Sequence, residues 1–183
     1  LESPSLKAPS PGRAFALQSG GLLAIWTGNQ EKGLAQIEQS LTLLKRTEED
    51  RWIAFAMMST AVALLNMGRD RAAHPLLEQA QRMFKEGEQS YFHTITLVHL
   101  GNVELGLGNP EKAQGILEEA KSLAENLDEN WILSFVINNL GEVARTQGHY
   151  DLARTYYEEC QSLLAKTGDY GDMARFVHSL GYI

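Results

Sequence analysis

The sequence predicts an all-α fold: a solenoid of antiparallel helix hairpins with about four and a half repeats. Three observations predict it. Glycines recur at Gly28, Gly68, Gly108 and Gly148, each 40 residues after the one before. Small and large apolar residues keep the same period: Gly21, Ala61, Gly101 and Gly141 form one column, and Ile37, Leu77, Leu117 and Tyr157 form another. Asp50, Ser90 and Asn130, also 40 apart, stand where a helix would need capping.

The elements follow in chain order. Residues 1–14 hold Pro4, Pro9 and Pro11 among serines and read as a flexible lead-in. They do not read as a signal peptide, because no apolar stretch follows a basic start. Residues 15–183 then divide into units 15–54, 55–94, 95–134 and 135–174, with a partial unit 175–183 that keeps Leu180-Gly181. Within a unit the first helix carries an apolar stripe such as Trp52, Phe55, Ala56, Ala63 and Leu64. The glycine column ends that helix, since glycine enters the left-handed conformation at little cost. The second helix starts at once: Asn109-Pro110 reads as a cap followed by proline in the first turn. Glu31, Glu111 and Asp151 place acid where the helix dipole favours it. Pro75 falls about a turn inside the second helix of unit two, which predicts a mild kink or a late start there. Small columns (Gly33, Ala73, Ala113, Ala153 and Ser40, Ala80, Ala120, Cys160) let helices approach, and the large column fills the space between.

Composition excludes several function classes. The chain has 183 residues, 44% hydrophobic and 21% charged, a globular profile. Sixteen basic against 23 acidic residues leave a net charge of −7, so nucleic acid is not an expected partner. No apolar run approaches the ~18 residues of a membrane span, so no membrane partner is expected. The single Cys160 forbids an internal disulfide, fits a reducing compartment and points to a cytoplasmic location. It falls in a small-residue column and reads as a buried small hydrophobe. The chain begins at Leu1 and ends at Ile183 inside a helical pattern, which reads as a piece of a longer protein.

Catalytic and metal patterns are missing. His74, His93, His99, His149 and His178 are scattered, without ligand spacing, so no metal is expected. Gly106 and Gly108 begin a G-x-G-x-x-G pattern that fails at Glu111. No serine sits in a G-x-S-x-G elbow. Glu118-Glu119 and Glu158-Glu159 read as solvated helix faces. The expectation is a protein that is not an enzyme, with no catalytic residues and no cofactor.

Leu140-Gly141, Gly148, Tyr150, Ala153 and Tyr157, followed by Leu100-Gly101, Gly108, Ala113, Leu117 and Ala120, resemble the tetratricopeptide repeat in its 40-residue form. The tryptophan and tyrosine of the short consensus are replaced by Ile137 and Ala144. The long form is similar to the sensor or scaffold regions of large bacterial ATP-binding transcription activators. It is also similar to the cargo-binding repeats of kinesin light chains, through Asn138-Asn139 and Ala73-His74-Pro75-Leu76. The resemblance implies a right-handed superhelix whose first helices line a concave face. On that face it places Asn102, Asn138, Asn139, Glu142, Arg145 and His178, and an apolar groove at Trp26, Met58 and Leu65. Asparagine suits peptide binding because its amide both donates and accepts. Solvated surface accounts for the polar set equally, and packing between units accounts for the apolar one.

The expected function is a non-catalytic module that binds a protein or peptide segment, inside a larger bacterial signalling or transcription regulator. Two alternatives are a small-molecule sensor domain, with its effector in the apolar groove, and a self-association scaffold forming a homodimer through open solenoid ends.

Overall fold

The computed structural model describes residues 11–46, 49–127 and 129–167. These form eight α-helices: α1 (Pro11–Trp26), α2 (Gln30–Leu44), α3 (Asp50–Asn66), α4 (Asp70–Glu86), α5 (Ser90–Gly106), α6 (Pro110–Leu127), α7 (Asn130–Thr146) and α8 (Tyr150–Thr167). There is no strand among the described residues. Successive helices pair as hairpins, α1 with α2, α3 with α4, α5 with α6 and α7 with α8. The all-α helical-repeat architecture is therefore as the 40-residue period predicts. The helices show a different phase from the expected units, whose boundaries at 55, 95 and 135 fall inside α3, α5 and α7. The first helix begins at Pro11, inside the stretch 1–14 whose composition predicts a flexible lead-in. The partial unit 175–183 lies outside the described residues.

The chain divides into two compact units, Leu1–Glu88 and Gln89–Ile183. In the first, Ile25, Ile37 and Ala63 form a core to which Leu22 adds. In the second, the core runs through α5, α6, α7 and α8 and includes Leu97, Leu117, Ile132, Val136 and Leu164. There α6 packs on α7, and α5 lies beside α7.

In three of the four hairpins a missing side chain lets the two helices approach closely, and Ala61 takes that position in the second. A Cβ on Gly141 would stand 2.5 Å from the Tyr157 ring, and one on Gly101 would stand 2.7 Å from Leu117. In the first hairpin, a Cβ on Gly21 would meet Ile37 at 2.5 Å and the carbonyl of Gly33 at 2.7 Å. These are the small and large columns of the sequence, in contact.

The turn between the helices also repeats. Gly28, Gly68, Gly108 and Gly148 all have positive φ, from 66° to 90°. At each, the glycine N–H and the next N–H reach back to the carbonyls three and five residues earlier: Gly108 to Leu105 and Asn109 to Glu104, and Gly148 to Arg145 and His149 to Ala144. This is the Schellman closure, and only glycine adopts it without strain.

Two local expectations need correcting. Asp50, Ser90 and Asn130 are the first helical residues and not the caps. The cap positions belong to Glu49, Gln89 and Glu129, without a side-chain capping bond. The carbonyls of these three accept the first helical bonds, from Ile53, His93 and Leu133, so each helix begins one residue earlier than its best capping side chain. The late start at Pro75 does not occur either, since α4 runs unbroken from Asp70 through Pro75 to Glu86. The proline removes one N–H near the helix start, and burial of Ala73, Leu77, Ala80 and Phe84 holds the helix regardless.

Cys160 is buried in the second unit, and burial, with Glu159 nearby, pushes its thiol up to about 12. The native thiol should resist Ellman's reagent at pH 8 and react fully in denaturant. The helix crossing gives a second prediction. Gly115 has open space around its Cβ position. Gly115→Ala should therefore stabilise by about 0.5–1 kcal/mol through helix propensity. Gly141→Ala, which drives into Tyr157, should destabilise by about 1–3 kcal/mol. Urea unfolding of both variants checks the opposite signs.

Candidate functional site

The polar set centres on α5 and α7 of the second unit. On α7, Phe135, Asn138, Glu142 and Arg145 are spaced by three, four and three residues, which puts them on one helix face. On α5, His99 and Asn102 are three apart. The two faces meet where the His99 ring stands edge-on to Phe135, with centroids 5.7 Å apart. Asn102 is half-buried beside this contact's helix turn.

The carboxamides differ in what they do. Asn139 is buried, and its Nδ2 donates to the Phe135 carbonyl at 2.7 Å, a bond within its own helix. Asn138 is 8% exposed, and its Oδ1 accepts no hydrogen bond. A buried acceptor left unmet costs about 1–3 kcal/mol.

Glu142 and Arg145 form an ordered pair. Glu142 Oε2 accepts from Arg145 Nη2 at 2.8 Å and from Nε at 3.1 Å, while Oε1 accepts from the Tyr157 hydroxyl at 2.7 Å. Burial, and then the bond to Glu142, hold the Tyr157 phenol above its ordinary range, so it stays a donor. Hydrogen bonding to Glu142 likewise holds the Arg145 guanidinium in its charged form. The Arg145 side chain is still 39% exposed, so it presents a fixed cation to solvent. Burial pulls the His99 imidazole down to about 4, and at neutral pH it is an uncharged ring.

The remaining site expectations fall elsewhere. Met58 is buried in α3 and Leu65 is half-buried two turns later, both in the first unit. The side chain of Trp26 and all of His178 lie outside the described residues. His99 and Phe135 were not among the expected site residues. The signal for Phe135 was present, since Phe15 and Phe55 share its column at 40-residue spacing. His99 had no comparable signal, because Ser59 and Asn139 are its repeat counterparts.

Among the described residues, no group of three or more His, Cys, Asp or Glu side chains is placed to hold a metal ion. Among them too, no helix is long and apolar enough to cross a membrane.

Comparison with known proteins agrees with this architecture. Residues 93–166 match the tetratricopeptide repeat family, as the columns in the sequence suggest. No curated protein sequence matches the chain. Solved structures do. The chain is similar to a Rap protein complexed with competence and sporulation factor, with a TM-score of 0.84 and 15% identity over 92% of this chain and 47% of that one. It is similar to a Rap conjugation gene regulator in complex with the Phr* peptide, with a TM-score of 0.74 and 17% identity over 81% of this chain and 42% of that one. It is also similar to aspartyl phosphate phosphatase F from Bacillus subtilis, with a TM-score of 0.79 and 16% identity over 91% of this chain and 44% of that one. The chain thus spans less than half the length of these structures. At such identities the likeness is one of fold.

The neutral His99 generates a pH prediction. Unfolded, its imidazole takes up a proton near pH 6.5; folded, it does so only near 4. Stability is therefore undiminished above pH 6.5 and falls as pH drops towards 4, by up to about 3 kcal/mol. Urea midpoints at pH 7.5 and 4.5 should separate more for the native chain than for His99→Gln.

Proposed function

We propose that the chain is a non-catalytic module whose α5–α7 face binds an extended peptide segment of a partner protein. The observation that carries this reading is the unmet Oδ1 of Asn138 on a face shared with the fixed Arg145 cation. An extended peptide offers that face backbone N–H donors at regular spacing, and a second carboxylate to share the Arg145 guanidinium with Glu142. In this reading the buried Asn138 carboxamide turns towards such a donor when the peptide binds. Neutral His99 and Phe135 supply an apolar, weakly polar wall beside it. The solved structures of Rap proteins with a factor or peptide bound lend this reading support through fold alone.

The module's setting, in this reading, is a larger bacterial signalling or transcription regulator in the cytoplasm. There the repeats contribute recognition and another part of the chain contributes the output. Neither nucleic acid nor membrane enters its binding. No reaction is assigned to it.

The test is selection of peptides from a displayed random library on the full chain, followed by fluorescence anisotropy with a selected peptide. Asn138→Ala should weaken binding by about tenfold or more, with unchanged helicity by circular dichroism. Arg145→Gln should weaken peptides bearing a carboxylate and leave their amide analogues unaffected. Equal affinity of Asn138→Ala and the native chain would overturn the proposal.

A further inference from the structure

The second unit also holds a cavity of about 250 Å³ that the peptide reading does not use. It opens between α6 and α8, with Leu140, Val143 and Ala144 of α7 at its base. Its rim is polar and aromatic, formed by Gln114, Gln147, His149 and Tyr156, with Leu152 among them.

The preceding repeat shows why the space is there. Subtracting 40 from Ala144, His149 and Leu152 gives Glu104, Asn109 and Lys112. In that repeat the three are bonded together: Glu104 Oε1 takes Lys112 Nζ at 2.6 Å, and Oε2 accepts from Asn109 Nδ2 at 2.8 Å. The Glu104 carboxylate is 1% exposed, so it occupies the position that Ala144 leaves short. One repeat fills its position with a polar side chain of its own; the next leaves room.

The rim selects the chemistry. Leu152 stands where Lys112 supplied a cation, so an anion would find no ammonium at that position. The carboxylate of Glu118, which accepts from Gln114 Nε2 at 2.8 Å, adds a further charge against anions. Gln147 Nε2 and Gln114 Oε1 are 3.5 Å apart, a contact at the long limit that leaves amide donors and acceptors in reach of a guest. The apolar base takes one ring or a branched group, and the volume admits a fragment-sized ligand.

We propose that this cavity, where Ala144, His149 and Leu152 replace the Glu104–Asn109–Lys112 cluster, is a binding site for a small uncharged ligand with an apolar body and one amide group. The site is separate from the α5–α7 face, and neither reading depends on the other.

The test is an amide-proton NMR titration of the full chain with benzamide, and in parallel with benzoate. Benzamide should shift the amides of Val143, Ala144 and Leu152, and benzoate should bind about tenfold more weakly or worse. Ala144→Leu fills the base with a side chain that the same column already carries at Leu64, so it should raise the melting temperature and abolish the benzamide shifts. Leu152→Lys, at a position 46% exposed, should turn the preference towards benzoate. Absence of shifts at those three amides would overturn the proposal. So would benzoate binding the native chain as well as benzamide does, or a preference unmoved by Leu152→Lys.

Discussion

Three of the four hairpins depend on a close approach that leaves no room for a single methyl group, and the second carries Ala61 at the same position. Where α7 crosses α8, the Gly141 position lies against the Tyr157 ring, and the same relation joins Gly101 to Leu117 and Gly21 to Ile37. A tyrosine seated there can be almost wholly buried and still send its hydroxyl out to Glu142. Glu142 in turn fixes Arg145. A packing constraint between two backbones is thereby transmitted, through one ring and one carboxylate, to the direction of a guanidinium. In the third hairpin Leu117 occupies the equivalent position and Asn102 stands in place of Glu142, so the same crossing carries no such chain of bonds.

A repeat protein holds its backbone nearly constant and varies what hangs from it. The four Schellman turns are alike in φ and in hydrogen bonds, yet each has different side chains at its ends. In the third turn a carboxylate is buried at the position three residues inside the helix end, and it is stabilised because an amide from the turn and an ammonium from α6 meet it. In the fourth, alanine at that position asks for neither. The substitution is tolerated because the backbone bonds, not the side chains, hold the turn.

The fold was legible because its determinants are periodic. A glycine needed for positive φ, and a small residue (glycine in three repeats, Ala61 in the second) needed for contact, each recur at the same spacing, and chance does not produce both columns. Helix starts were less legible. Asp50, Ser90 and Asn130 have the better capping side chains, but the chain enters the helix at Glu49, Gln89 and Glu129, and tertiary burial outweighs the lost cap. Pro75 misled for a related reason: one absent N–H near a helix start is a small loss beside four buried apolar residues on the same helix.

The site was legible only in part, and the reason is the same periodicity. Asparagines stood out because the family resemblance puts them on the concave face and an amide both donates and accepts, Asn138 in a column with Gln18, Met58 and Val98. Nothing in the sequence distinguishes Asn139, whose amide is spent on the Phe135 carbonyl, from Asn138, whose oxygen is unmet. That difference comes from side-chain torsions and neighbours. The cavity was equally hidden, since Ala144 looks like one more small residue until Glu104 shows how large a group its column can bury. In this architecture, columns that repeat specify the scaffold. Columns that change character between neighbouring hairpins, such as Glu104 to Ala144 and Val98 to Asn138, mark where two repeats of one scaffold differ in the side chains they carry.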